Sequence, residues 1–126
     1  MDKKSFVVNL SAQIAKHLRD VHFGGNWTGV ALKEILSDVT WVQATTKVDS
    51  LNTIAALVFH MNYYVAAQIR VLQGGSLDAH DKYAFDLPAI KSEEDWRELC
   101  GRTFGDAETL AALIETTGTK TVRKLC

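Results

Sequence analysis

The sequence predicts an all-α fold, an up-and-down helical bundle forming one domain over residues 1–126. Two observations carry that prediction. Residues 51–73 hold no glycine or proline, and Ile54, Val58, Met61, Val65, Ile69 and Leu72 recur there at the three- and four-residue steps of a helix. Two other stretches, 5–22 and 92–117, repeat the same period.

Helix 5–22 comes first, with Ser5 as a candidate N-cap. Phe6 or Val7, Leu10, Ile14, Leu18 and Val21 make its apolar stripe, and Asn9, Gln13, Lys16 and Arg19 fall to the other side. His17 lies beside the stripe. His22 follows in the last turn, where an imidazole interacts favourably with terminal carbonyls. Gly24, Gly25 and Asn26 break the helix, and Trp27 follows. A shorter helix, about 30–38, carries Leu32, Ile35 and Leu36, with Val39 just beyond. The next run, TWVQATTKVDS, is rich in threonine and β-branched residues and reads as loop or a few extended residues. Trp27 and Trp41 are placed as plugs at the bundle ends, with the wall of a ligand pocket as the rival role.

The stretch from Ser50 to Gly75 is the organising element. Ser50 is its candidate N-cap, and Gly74 and Gly75 are its terminators. A second stripe, Leu57, His60, Tyr64, Ala67 and Val71, runs beside the first. Two adjacent stripes predict burial on more than one side. SLDAHDKYAFDLPAI, with Pro88, is a long connection that packs across the bundle and could cover the mouth of a pocket. Ser92 opens the last helix with an acidic first turn. Trp96, Leu99, Thr103 or Phe104, Ala107, Leu110 and Ile114 trace its buried face. Gly101 and Gly105 either weaken it or mark close helix contact, Gly118 ends it, and TKTVRKLC is a basic tail.

Bulk properties exclude some function classes. The formal net charge is −1, so no strongly basic nucleic-acid surface is expected. Two cysteines, Cys100 and Cys126, make no disulfide framework and favour a reduced, cytoplasmic setting. The start lacks the uninterrupted apolar region of a signal peptide. The apolar part of the central helix is too short and too polar-bordered to span a bilayer, so no membrane partner is expected. Three long helices and one short one leave a bundle open, which predicts a homodimer.

Few residues carry a chemical signature. None of His17, His22, His60 and His80 forms an HxxxH or HExxH pair. No CxxC, no GxSxG elbow and no phosphate-cradling glycine loop is present. His60, in the most apolar part of its helix, has two readings. It is a core histidine satisfied by one partner, or it is a ligand to a divalent metal, Zn or Ni. Asn62, Tyr63 and Tyr64 could orient such a ligand or bind a substrate. A binding module would need only an apolar cleft lined by Trp27, Tyr63, Tyr64 or the long connection.

The run GGNWTGVALKEILSDVTWVQAT, followed by NTIAALVFHMNYY, LQGGSLDAHDKYAFDLPAI and the SEEDW helix start, resembles the DinB-like superfamily. These are also called the YfiT-like metal-dependent hydrolases, and the likeness is to a branch of small bacterial members. It runs over nearly all of the chain. It implies a DinB-like four-helix bundle, commonly dimeric, that in many members holds a divalent metal with three histidines. His60 matches the one on the second long helix. The HxxxH pair of the later helix has no counterpart, and His17, His22 and His80 do not match it. Where relatives continue into a further helix, this sequence reads ETTGTKTVRKLC. The resemblance therefore implies a bundle that is incomplete or completed by dimerisation. It implies a protein of unresolved substrate, related to metal-dependent hydrolases or thiol S-transferases, with no catalytic residue assignable. The alternative is a non-catalytic small-molecule-binding or protein-interaction module that has lost the metal site.

Overall fold

A computed structural model describes the backbone of residues 3–24 and 31–125 and the side chains of residues 10–24 and 31–116. Trp27, the Phe6 or Val7 start of the first stripe and the side chains of the basic tail lie outside the described residues. The helices are α1 (Lys3–Phe23), α2 (Leu32–Ser37), α3 (Trp41–Thr45), α4 (Ile54–Leu72) and α5 (Glu93–Leu125), with a 3-10 turn at Asp81–Tyr83. The fold is all-α, with no strand among the described residues. None of the described helices is long and apolar enough to cross a membrane.

Local chemistry sets the boundaries and moves several of them. α1 begins at Lys3, so Ser5 lies inside its first turn and is not its cap. The threonine-rich run is not simply loop. Thr40 accepts from the Gln43 N–H at 3.2 Å, and the Gln43 side chain accepts from the Thr40 N–H at 2.9 Å. This reciprocal capping box satisfies two donors and starts α3 despite poor propensity. α4 is capped by Thr53, whose hydroxyl accepts from the Ala56 N–H at 3.1 Å. Ser50 is displaced because Asp49 turns the chain at φ 50 and the Leu51 N–H closes on the Val48 carbonyl. At the other end Gly74 takes φ 96, and the Gly75 N–H bonds the Arg70 carbonyl at 2.8 Å. A Cβ at Gly75 would stand 2.9 Å from that carbonyl oxygen. Ser92 caps α5 by accepting from the Asp95 N–H at 3.1 Å. α5 then runs on through Gly101, Gly105 and Gly118 to Leu125. A Cβ at Gly101 or Gly105 would meet nothing within 4 Å, so these glycines mark no close helix contact.

The organising helix is α5, not α4. It packs along α1 on one flank and α4 on the other. Arg19 of α1 donates to both oxygens of Glu108 and to Glu115, and His22 meets Phe104 edge to face at 6.5 Å. Higher-numbered residues of α1 thus meet lower-numbered residues of α5, and the two run antiparallel. On the other flank Asn62 donates to Asp106 at 2.8 Å. Ala55 and Val58 share a core cluster with Trp96, Leu99 and Cys100. α4 and α5 therefore run in the same direction, and the strict alternation of an up-and-down bundle gives way to a crossover. The connecting residues 73–92 must travel back along α4 before α5 can start, and a chain of that length spans the distance easily.

The core sits where α2 and α3 close over the start of α5. Leu36, Ala44, Ala55, Val58, Trp96, Leu99 and Cys100 are buried together, with Trp41, Leu87 and Ile90 packed on them. Trp96 is fully buried, and its indole N–H donates to the Val39 carbonyl at 2.8 Å. Arg97 donates to the carbonyls of Leu36, Ser37 and Val39. The orphan acceptors at the end of α2 are satisfied in this way. Glu93 binds the other side of Arg97 and accepts from the Trp41 N–H at 2.9 Å, and this N–H holds its carboxyl below the usual carboxylate range.

Candidate functional site

α4 divides into rows. Ala55, Val58, Asn62 and Ile69 are buried against α5. At about 100° per residue, His60 lies nearly opposite that row. The imidazole therefore points to the outer side of α4, not into the bundle interior as its position in the apolar stretch suggested. It is half-buried, because the crossover passes over it.

Residues 78–85 form a strap. The Phe85 ring lies face to face on the His60 ring, with centroids 4.2 Å apart and planes 8° apart. Tyr64 meets the same imidazole edge-on at 5.2 Å. The Tyr63 hydroxyl accepts from the His80 N–H at 2.8 Å, and the Tyr64 hydroxyl donates to the Asp81 carboxylate. That bond to Asp81 raises the Tyr64 pKa, because it holds the proton on the phenol. Arg70 adds a bond to the Asp78 carbonyl at 3.1 Å, and His80 Nε2 lies 3.1 Å from Asp78 Oδ1. Both tyrosines proposed as pocket walls thus spend their hydroxyls holding the strap. Asn62 does not join them, since it faces α5 and its partner is Asp106.

His60 Nδ1 is buried and meets no hydrogen-bond partner among the described residues. Burying such an atom unpaired costs on the order of 1–3 kcal/mol. A lone pair in that position suits a metal in principle, but the surrounding donors do not. Among the described residues no three His, Cys, Asp or Glu side chains converge closely enough to hold a metal ion. His80 is engaged with Asp78 and Tyr83, His22 bonds the Leu18 carbonyl, and His17 lies on α1. The three-histidine set implied by the resemblance does not fit these residues.

No protein-family model, curated protein or solved structure matches the chain. Its own geometry is therefore what distinguishes the functional readings.

A second feature escaped the sequence reading. Gln68, Val71 and Leu72 of α4, Leu77 of the connection and Leu110 and Ile114 of α5 line an open groove of 360 Å³. All but Gln68 are apolar. The signal lay in Leu77, an apolar residue in the polar run GGSLDAHD, 72% exposed in the fold. Cys100 is the only described cysteine and is buried. Burial pushes its thiol pKa up, which makes it a poor nucleophile.

Proposed function

We propose that the chain is a DinB-like helical protein that works as an interaction module, not as a three-histidine metal enzyme. The observation carrying this reading is the isolation of His60. Its imidazole is stacked under Phe85 on the outer side of α4, with no second and third ligand beside it among the described residues. The apolar groove supports the same reading, because it offers contact surface and almost no polar chemistry. A second copy of the chain is the partner that this reading calls for.

A metal-dependent hydrolase or thiol S-transferase is the second reading, favoured by one observation. His60 Nδ1 is a buried lone pair or N–H with no partner among the described residues, the kind of atom a ligand or metal would satisfy.

The test is the metal content of the purified protein and of His60→Ala, with Zn and Ni titrated into each. The interaction reading predicts far less than one equivalent of metal and no difference between the two proteins. Stoichiometric Zn or Ni that is lost in His60→Ala would replace it with the metal-enzyme reading.

A further inference from the structure

The strap lies on α4 as a bound peptide lies on its receptor, and Leu77 just ahead of it lines the groove. Its contacts run back along the helix in order, with Asp78 at Arg70, His80 and Asp81 at Tyr63 and Tyr64, and Phe85 at His60. α4 supplies side chains, and the strap supplies main chain at two of these points. Arg70 donates to the Asp78 carbonyl, and the Tyr63 hydroxyl accepts from the His80 N–H. Two strap side chains are gripped directly: the Asp81 carboxylate accepts from Tyr64, and the Phe85 ring stacks on His60. Main-chain bonds for affinity and a few side-chain anchors for specificity are how proteins commonly read a peptide.

The grip is imperfect. All three bonds lie at the surface, where water competes for each. Of residues 78–85 only Ala84 is buried. Leu77 stays 72% exposed beside a groove of 360 Å³ that it does not fill. His60 Nδ1 has no partner among the described residues, so the closed strap keeps water from that nitrogen without replacing the bond. A segment seated this way is open to replacement by one with better contacts.

The chain also has the slack to let go. α4 is 19 residues long, about 28 Å. Residues 73–92, which connect α4 to α5, can extend to about 66 Å. Both ends of the connection are held independently of the strap. The turn at Gly74 and Gly75 closes α4, and Leu87 and Ile90 pack on the core. Lifting residues 78–85 therefore disturbs no member of the core cluster.

We propose that the outer face of α4 is a peptide-docking surface that the strap occupies in cis, and that an acidic peptide with an aromatic anchor displaces it. The partner's chemistry follows from what the face grips. It needs a carboxylate for the Tyr64 hydroxyl, a flat ring four positions later for His60, and an apolar side chain four positions earlier for the groove. α4 carries one arginine and no acidic residue, which favours an acidic partner. This rests on the interaction reading and adds a partner other than a second copy.

The test uses Asp81→Ala/Phe85→Ala, which removes both side-chain anchors at exposed strap positions and leaves α4 unchanged. The probe is a fluorescein-labelled peptide of residues 76–87, read by anisotropy. The variant should keep its helical circular dichroism and bind the peptide saturably below about 1 mM. The parent should bind it at least about tenfold more weakly, because its tethered strap competes at high effective concentration. A peptide carrying Asp81→Asn and Phe85→Ala should not bind, and Tyr64→Phe added to the variant should weaken binding about tenfold. Asp81→Asn/Phe85→Leu, which keeps the bulk of the strap, gives the same comparison if the first variant loses helix. No binding by a folded variant would overturn the proposal, as would equal binding by parent and variant or binding indifferent to Tyr64→Phe. Stoichiometric Zn or Ni taken up by the opened variant and lost with His60→Ala would sink the interaction reading itself. Without that metal, a missing peptide complex sinks the docking proposal alone.

Discussion

Trp96→Phe tests whether the start of α5 holds α2 and α3 in place. Trp96 is fully buried, and its indole N–H donates to the Val39 carbonyl at 2.8 Å. Phenylalanine removes about three ring atoms and leaves a small void, worth about 1–1.5 kcal/mol in transfer and cavity terms. The lost hydrogen bond adds about 1 kcal/mol. The Val39 carbonyl is not orphaned, because Arg97 still donates to it at 3.0 Å, so no further desolvation cost is added. The total is about 2–3 kcal/mol, a fall of roughly 10 °C in melting temperature for a chain of this size. Urea unfolding followed by circular dichroism at fixed protein concentration reads it as a lower midpoint with an unchanged slope. A loss below about 0.5 kcal/mol would refute the reasoning, because Trp96 would then not be the keystone between α5 and the short helices.

Other consequences are separable. Thr40→Ala should cost about 1 kcal/mol by removing the capping box that starts α3, read from the same urea curves. Glu108 is held below the usual carboxylate range first by its bond to Arg19. A depressed folded pKa adds stability above the unfolded value that is lost as the pH falls through the folded one. The stability gap between the parent and Arg19→Met, at most about 1 kcal/mol for so exposed a pair, should therefore be present at neutral pH and close in acid. A gap that widens in acid would contradict the sign. Tyr63→Phe should speed amide exchange at His80 and along the strap with little change in global stability. Cys100 should resist iodoacetamide in the folded protein and react once urea unfolds it, as mapped by peptide mass.

The parts of the fold legible in the sequence were those written in local periodicity. α1, α4 and α5 lie where the apolar steps put them, and Gly74 and Gly75 end α4 because one needs a positive φ and the other leaves no room for a side chain. α3 was missed because its β-branched residues argue against helix, while Thr40 and Gln43 override them through two hydrogen bonds. The extension of α5 through Gly118 was missed because a single glycine weakens a helix without ending it. The choice of α5 over α4 as centre was not legible, since both carry apolar stripes and only the crossover decides which is flanked twice. His60 reads in the sequence as a core histidine or a metal ligand inside the bundle, and the structure places it half-buried under Phe85 on the outer side of α4. Its direction was not readable, because an apolar neighbourhood in sequence does not say whether the bundle or a returning strap covers it. The groove needed Leu77 brought back against α5, a contact beyond the reach of local pattern.

The interaction reading turns on whether the exposed side of α4 that carries Leu57 and Met61 is covered by a second copy in solution. Met61 stands on that side and is 37% exposed in a single chain. Its peroxide oxidation rate, followed by peptide mass at high and at very low protein concentration, measures the cover directly. Protection that disappears on dilution is the predicted result. One rate at both concentrations, equal to that of an open methionine, would contradict it.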